Sequence, residues 1–145
     1  MSLNIEVITP ERIVYSSIAE EDVVQSVTLP GHNGELGILP GHLPLMTTLM
    51  SGRLLIQLAN GQSIRMAVHG GFAQVLPNGI NILTDQAELG SEIDATRAKT
   101  ALDAAEKRLS EAVSKNRVDE QDALEAHKAA LKRARARLFV AEEDK

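Results

Sequence analysis

The chain has 145 residues and a formal net charge of −5 at pH 7, and 43% of its residues are hydrophobic but only 2% aromatic. This composition argues against nucleic-acid binding, because phosphate contacts need a basic surface and base stacking needs aromatic side chains. The chain contains no cysteine, which excludes disulfides, thiolate zinc sites and cysteine nucleophiles. The length suits one domain with an aliphatic core, or a compact domain with an appendage.

The first stretch, MSLNIEVITPERIVYS, lacks the basic and then apolar segments of a secretory leader. No apolar run approaches the ~20 residues that span a bilayer. We therefore expect a cytoplasmic protein without membrane insertion, for which peripheral attachment to a membrane stays open.

The character of the sequence changes near residue 90. Residues 1–89 hold nine of the ten glycines and all five prolines. Residues 91–145 hold no glycine or proline, but thirteen alanines and twelve charges of each sign. The first composition is typical of strands joined by turns, and the second of charged helices. The sequence predicts a β domain over residues 1–89 and an α domain over residues 90–145.

In the β half, short apolar or alternating runs recur between turn signals such as Asn60-Gly61 and Asn78-Gly79. Regularly spaced short strands favour a sandwich or barrel, and Asn-Gly is the preferred two-residue hairpin turn. We predict eight to ten strands in two sheets. The runs cover residues 3–9, 23–29, 36–39, 43–50, 54–58, 63–68, 73–76 and 80–83.

The stretch PGHNGELGILPGH, residues 30–42, contains two Pro-Gly-His triplets. Its residues His32, Glu35 and His42 are candidate metal ligands or acid/base groups, with His69 as a fourth candidate. However, Pro-Gly pairs form type II turns, and these four residues lie on different predicted loops without a helical pair of histidines. We interpret both triplets as turns between strands.

In the α half, one helix is predicted from near Asp94, with Ser91 or Asp94 as its cap, to about Ser114. A second is predicted from Asp119 as N-cap to about Ala141, with SKNRV as the turn. Apolar residues at helical spacing predict an antiparallel pair with an alanine-rich seam. The seam positions are Ala98, Leu102, Ala105, Leu109 and Ala112 on the first helix, and Leu124, His127, Leu131, Ala134, Leu138 and Ala141 on the second.

Alanine buries little apolar area, so the helix pair has few large anchors to the β domain. A weakly docked pair can detach as a unit, and a static hairpin is the alternative that the sequence leaves open. Antiparallel pairing around the predicted turn places Arg97 beside Arg133 and Arg137. Such a cluster at a helix N-terminus is either a site for a phosphate chain or a solvated basic face.

Three strings resemble the epsilon subunit of bacterial F-type ATP synthase, called delta in mitochondria: GELGILPGHLPLMTTLMSGRLLI, GGFAQV and ILTDQAELGSEIDATRA. The resemblance extends from Ile5 to Ala141. It implies an N-terminal β-sandwich, a C-terminal hairpin of two helices and no catalytic site in this chain. The implied partners are the gamma subunit, the c-ring of the membrane sector and the alpha/beta catalytic head. The implied location is the cytoplasmic face of the bacterial cell membrane.

The resemblance also implies contact residues. Glu35 and His42 would contact the rotor ring. The basic end of the second helix would contact an acidic patch on the catalytic beta subunit and inhibit ATP hydrolysis when the helices extend. These inhibitory residues are Lys132, Arg133, Arg135 and Arg137.

The string IDATRA matches the IDxxRA motif with which some bacterial members of the family bind regulatory ATP. The implied ATP-binding residues are Glu88, Ile93, Asp94, Arg97, Ala98, Arg133 and Arg137. One departure concerns affinity: strong binders carry another arginine two turns after Arg97, where this sequence has Ala104. Arg108 lies one turn further, which is not an equivalent position. Apart from this regulatory ATP, no cofactor is expected.

We therefore expect a non-catalytic rotor subunit of a rotary ATP synthase. Two other classes stay open at this point. A free-standing ATP-sensing module would bind ATP without a gamma subunit, and failure to co-purify with an ATPase head would favour it. A metal-dependent hydrolase would use His32, Glu35 and His42, and metal analysis of the purified protein tests that class.

Overall fold

A computed structural model describes residues 3–114 and 121–143 of the chain. Ten strands form two five-stranded sheets, and two helices follow them. The strands are β1 (Asn4–Ile8), β2 (Ile13–Ser16), β3 (Val24–Gly31), β4 (Gly34–Ile38), β5 (Leu45–Thr48), β6 (Ser51–Leu58), β7 (Ser63–His69), β8 (Phe72–Leu76), β9 (Gly79–Leu83) and β10 (Ala87–Leu89). A short 3-10 turn (Gly90–Glu92) leads to α1 (Ala95–Ser114) and α2 (Gln121–Glu143). The predicted order, a β-sandwich followed by two helices, is confirmed.

The two sheets differ in what covers their outer faces. The helix-facing sheet has the strand order β10-β7-β6-β3-β4, and α2 packs against its strands β6 and β7. The open sheet has the order β2-β1-β9-β8-β5. Its strands β1 and β9 pair in parallel, whereas the other pairs of both sheets are antiparallel. No helix among the described residues is long and apolar enough to cross a bilayer.

The core between the sheets is aliphatic, as the composition predicts. Alternating strand residues point inward, because successive side chains of a strand face opposite sides. The largest fully buried side chains include Leu3, Ile5, Leu29, Ile38, Leu54, Ile56, Met66, Ile80 and Ile82. Of the three aromatic residues, Tyr15 is buried, while Phe72 and Phe139 are about half exposed. The sandwich is therefore closed by branched aliphatic packing.

Two strands, β2 and β10, were not predicted from the sequence. β2 has four residues, of which Ile13, Val14 and Tyr15 are hydrophobic, and β10 has three, of which Ala87 and Leu89 are hydrophobic. Their hydrogen-bond partners, β1 and β7, decide that these segments are strands. Short edge strands depend on such pairing more than on their own propensity.

The first helix begins where the sequence predicts. Asp94 is its N-cap, since its Oδ1 accepts hydrogen bonds from the backbone N–H groups of Thr96 (2.9 Å) and Arg97 (3.1 Å). The second helix extends two residues beyond the predicted end at Ala141. Its predicted cap, Asp119, and most of the SKNRV turn lie outside the described residues.

The helices pack along the predicted alanine seam, but in a different register. Ala105 packs with Leu131 and Ala134, and Ala98 packs with Val140 and Ala141. Arg97 is therefore level with the end of α2 and not with Arg133 and Arg137, so the predicted register is wrong. Small side chains permit several antiparallel registers, and the sequence spacing alone did not select this one.

Charged residues anchor α2 to the sandwich beside a small apolar contact. Ala67 of β7 is buried against Val140 and Ala141. Arg53 of β6 donates hydrogen bonds from its NH1 to both carboxylate oxygens of Glu143, at 2.6 and 2.8 Å.

The same interface continues on either side of this ion pair. The Arg65 Nε lies 3.1 Å from Glu143 Oε2, and the Arg53 guanidinium lies 5.3 Å from the centre of the Phe139 ring. A partly buried, bidentate arginine–carboxylate pair contributes more than an exposed one. The helix pair is therefore anchored to the β domain by charged contacts in addition to its few large apolar residues.

Removing the charge of Glu143 is expected to loosen the docked end of α2. Glu143→Gln keeps the size of the side chain but weakens its bonds to Arg53, which should cost about 1–2 kcal/mol of docking. Amide hydrogen exchange should then be about five- to thirtyfold faster over residues 131–141. Glu142→Gln is the matched control, because Glu142 is exposed, and it should leave exchange unchanged. Equal protection in both variants would contradict this anchoring role.

Candidate functional site

A second ion pair fixes the C-terminal half of α2 to the edge of the helix-facing sheet. Glu88 lies on β10, which pairs with β7 at this edge. Arg137 donates from its Nε to Glu88 Oε1 at 2.8 Å and from its NH2 to Glu88 Oε2 at 3.2 Å. Both side chains are about one-third exposed, so the pair is partly screened from solvent. The two-point geometry fixes the orientation of the guanidinium as well as its distance.

A histidine lies beneath this ion pair. His69 ends β7, and its side chain is 3% exposed. Its Nε2 lies 3.6 Å from Glu88 Oε1, which is longer than a hydrogen bond. Burial lowers the pKa of His69, and the arginines Arg133 and Arg137 lower it further, while Glu88 acts in the opposite direction. The docked helix therefore favours the neutral imidazole.

Next to this pair, the sandwich and both helices enclose a cavity of about 290 Å³. We call it the arginine cavity because three arginines line it. Its lining residues are His69, Gln86, Glu88, Ala101, Ala105, Arg108, Ala130, Arg133, Ala134 and Arg137. Arg133 and Arg137 share one face of α2 at i, i+4. Three guanidinium groups facing one small cavity favour an anionic ligand.

The structure brings together only some of the predicted ATP-binding residues. Glu88, Arg133 and Arg137 line the arginine cavity. Ile93 and Ala98 are buried where the start of α1 meets α2 and the sandwich.

The other two predicted ATP-binding residues, Asp94 and Arg97, lie at the N-terminus of α1. Asp94 caps the helix, and the Arg97 side chain is 88% exposed, with Asp94 4.0 Å away. The first turn of α1 therefore lies beside the cavity and not in its wall.

Two residues of the cavity were not among the predicted site residues. The predicted register placed Arg97 beside Arg133. In the structure it is Arg108 that lines the cavity together with Arg133. His69 was considered only as a metal ligand on a loop, but it ends a strand and faces Glu88. No local pattern identified it, because its role depends on β10 and α2 lying next to β7.

The four basic residues predicted to inhibit hydrolysis point to different sides of α2. Arg133 and Arg137 line the arginine cavity. Lys132 and Arg135 are exposed and line a shallow groove of about 600 Å³ on the other side, beside Phe139. In the docked state these four residues do not form one continuous basic surface.

The residues of the PGHNGELGILPGH stretch are also dispersed. Glu35 lies at the start of β4, with a 64% exposed side chain, and its Oε1 is 3.8 Å from Arg53 NH2. His42 lies in the loop after the opposite end of β4, where its Nδ1 is 2.7 Å from the Leu43 carbonyl oxygen. His32 is exposed in the β3–β4 turn. Within residues 3–114 and 121–143, no group of three or more His, Cys, Asp or Glu residues is placed to hold a metal ion.

An apolar row crosses the outer face of the open sheet. Strand pairing places Ile13 next to Ile8, Ile8 next to Leu83, and Leu83 next to Phe72. Ile13, Leu83 and Phe72 are 58%, 52% and 55% exposed. Met46 and Leu76 extend this exposed surface on β5 and β8. Contiguous exposed apolar residues of this kind mark an interaction surface.

Comparison with protein families accounts for both halves of the chain. The family described as "ATP synthase, Delta/Epsilon chain, beta-sandwich domain" matches residues 2–90. The family described as "ATP synthase, Delta/Epsilon chain, long alpha-helix domain" matches residues 91–142.

Individual relatives agree with these matches. An ATP synthase epsilon chain of Syntrophomonas wolfei is 44% identical over 138 residues, which cover 95% of this chain and 93% of the relative. A chloroplastic ATP synthase epsilon chain of Calycanthus floridus is 42% identical, covering 95% of this chain and 96% of the relative. Among solved structures, a chain of the Euglena gracilis mitochondrial ATP synthase (OSCP/F1/c-ring) aligns with a TM-score of 0.77 at 21% identity. It covers 97% of this chain and 81% of that one, and it supports the fold. Because the family matches span both domains and the relatives match over almost their full length, the chain belongs to the ATP synthase delta/epsilon chain family.

Proposed function

We propose that this chain is a non-catalytic rotor subunit of a proton-translocating F-type ATP synthase, at the cytoplasmic face of a bacterial cell membrane. The observation that carries the proposal is the family match along both domains, residues 2–90 and 91–142. Catalysis would then reside in partner chains, and this subunit would couple the catalytic head to the membrane ring. Three surfaces of the structure support distinct parts of that role.

The apolar row on the open sheet suits the gamma subunit. The outer face of the open sheet is not covered by α1 or α2, because the helices pack on the opposite side of the sandwich. Burying Phe72 and Leu83 against a partner would remove two half-exposed hydrophobic side chains from water. Interfaces commonly draw most of their energy from such central apolar anchors.

The ring contact is proposed for the turns of the sandwich that carry Glu35 and His42. Glu35 is exposed next to the β3–β4 turn, and His42 is partly exposed in the loop after β4. Glycine and proline in both segments restrict the loop conformation. Since Glu35 lies at the start of β4 and His42 lies in the loop after its other end, they would meet different loops of a ring and not one point.

Placing a charge in the apolar row should weaken gamma binding without unfolding the chain. Phe72→Lys and Leu83→Lys each put an ammonium group where a partner would bury a hydrophobic side chain. We expect the Kd for an isolated gamma subunit to rise about tenfold or more for each variant.

Gln57→Lys is the control for this measurement, since Gln57 is exposed on the helix-facing sheet. It should bind gamma as the wild type does. Unchanged affinity in the Phe72 and Leu83 variants would show that gamma binds elsewhere. If the chain binds ATP but no gamma subunit, the free-standing ATP-sensing module becomes the better interpretation.

Inhibition of ATP hydrolysis is proposed for the released form of α2. In the docked form Arg137 is held by Glu88, and Lys132 and Arg133 face opposite sides of the helix. An acidic patch on the catalytic beta subunit would engage all of these cations only after α2 leaves the sandwich. The docked form is then the non-inhibitory one.

Reversing exposed charges on α2 is expected to relieve inhibition. The double variant Lys132→Glu, Arg135→Glu removes two contacts of roughly 0.2–1 kcal/mol each, so the concentration that half-inhibits the ATPase head should rise roughly two- to thirtyfold. The effect should grow at low ionic strength, where screening is weak. Lys99→Glu, an exposed change on α1, is the control. If removal of residues after 90 leaves hydrolysis unchanged at every ATP and salt concentration, the helices are not inhibitory.

Regulatory ATP binding is proposed at the arginine cavity. The cavity is near the lower end of the volumes typical of ligand sites, so it would hold the phosphate chain and not the whole nucleotide. The adenosine part would lie along the first turn of α1, near Ile93, Asp94 and Ala98. Phosphate would replace the Glu88 carboxylate on Arg137. Because α1 and α2 both supply arginines, ATP would favour the docked, paired helices.

Loss of one cavity arginine should weaken ATP binding by about ten- to a hundredfold, the effect of losing one charge-assisted contact of roughly 1.5–3 kcal/mol. We expect this for Arg137→Ala and Arg133→Ala in calorimetric titrations of the isolated chain. Arg135→Ala is the matched control, since Arg135 points away from the cavity. Arg97→Ala tests whether the first turn of α1 takes part. Equal affinity in all variants would make the cluster a solvated face, and undetectable binding in the wild type would point to Ala104.

A further inference from the structure

His69 is a buried ionisable group whose surroundings depend on whether α2 is docked. Its backbone N–H donates to the Gln86 carbonyl oxygen at 3.1 Å, which fixes its position at the sheet edge. Its Nδ1 is buried without a hydrogen-bond partner among the described residues. Glu88, on the adjacent strand β10, is a charged neighbour, with its Oε1 3.6 Å from His69 Nε2. Both His69 and Glu88 belong to the sandwich, so they stay together if the helices leave.

His69 and Arg137 compete for one oxygen atom. Glu88 Oε1 accepts the Arg137 Nε–H at 2.8 Å and is also the carboxylate atom nearest to His69 Nε2. The charged groups that face His69 are Glu88 from β10, Arg133 and Arg137 from α2, and Arg108 across the cavity from α1. A proton on His69 would therefore add a fourth cation to a cluster that has one carboxylate.

We propose that His69 is a proton-sensitive latch that releases α2 from the sandwich as the pH falls. A protonated imidazole attracts Glu88 toward Nε2 and repels Arg137 and Arg133, so it weakens the ion pair that holds the C-terminal half of α2. The latch concerns the docking of α2 alone. It operates whether or not the chain inhibits ATP hydrolysis or binds ATP.

The direction of the pH effect follows from the two surroundings of His69. In the docked form, burial and the two arginines of α2 hold the pKa of His69 below its ordinary value. In the released form the imidazole regains solvent, keeps Glu88 and loses both arginines, so its pKa rises back toward or above the ordinary value of a histidine. The docked form thus binds fewer protons. Docking is complete above that released-state pKa and weakens as the pH falls below it.

The test follows the position of α2 in the full-length chain without nucleotide. Because the sequence has no cysteine, spin labels can be attached at Thr48→Cys on β5 and Ala129→Cys on α2, which are both exposed. From about pH 8 to about pH 5, a second, longer distance should appear, and its ratio to the docked distance should rise by up to tenfold per pH unit, the limit for one proton.

Two variants separate the latch from a general acid effect. His69→Gln retains a polar side chain but cannot gain charge in this range, and it should abolish the pH dependence. His127→Gln, on α2 itself, should respond as the wild type does. A distance distribution independent of pH in the wild type, or the same pH response in His69→Gln, would overturn the latch.

A second measurement does not depend on the folding of His69→Gln. The imidazole of His69 is titrated by NMR in the wild type, in Arg137→Ala and in Arg135→Ala. Removing Arg137 frees Glu88 and removes a cation, so the His69 pKa should be higher in Arg137→Ala and unchanged in Arg135→Ala. Equal pKa values in all three proteins would show that Arg137 and His69 are not coupled, which also overturns the latch.

Discussion

Two ion pairs, Arg137–Glu88 and Arg53–Glu143, hold α2 against the sandwich beside one small apolar contact, and the arrangement of the two domains depends on them. The chain contacts the sandwich near the start of α1, through Ala98 and through Ile93, which precedes the helix. α2 carries most of the docking, but its apolar contact consists largely of Ala67, Val140 and Ala141. Since alanine contributes little burial energy, the charged pairs at Arg137 and Glu143 help to hold the C-terminal half of α2 in place.

This kind of docking has consequences that an apolar interface would not have. Hydrophobic contacts respond little to pH or to phosphate, whereas a carboxylate with two competing cations responds to both. The pairs of Glu88 and Glu143 are partly solvated, so each is moderate in strength. A helix held by a few moderate charged contacts can be stable on its own and still leave the sandwich as a unit.

The two outer faces of the sandwich differ in what covers them. One face is covered by α2 and forms the arginine cavity with it. The other exposes an apolar row across four strands that the described part of the chain leaves uncovered. A rigid aliphatic core joins them, so a partner bound on one face and a helix docked on the other are held at fixed relative positions. That geometry is compatible with the proposed role of a subunit that couples two partners.

The sequence by itself determined the fold class, the division near residue 90 and the family. Strand alternation, Asn-Gly turns and the loss of glycine and proline are local properties, and local properties are what a sequence displays directly. The start of α1 was also predictable, because the cap Asp94 accepts a hydrogen bond from the backbone N–H of Thr96, only two residues further along the chain. The turn at the second Pro-Gly-His triplet was predictable in the same way, since Gly41 has a positive φ of 82°. At the first triplet the predicted Pro-Gly turn is wrong, because Pro30 and Gly31 end β3 and the turn falls on His32 and Asn33.

Only the tertiary structure decided which charged residues meet. The helix register places Arg108, and not Arg97, opposite Arg133, since alanine seams pack in more than one register. The strand β10 was too short to predict, yet it brings Glu88 beside His69. These three elements are distant in sequence, so no local pattern encodes their proximity. Their contacts arise from sheet pairing and helix docking together.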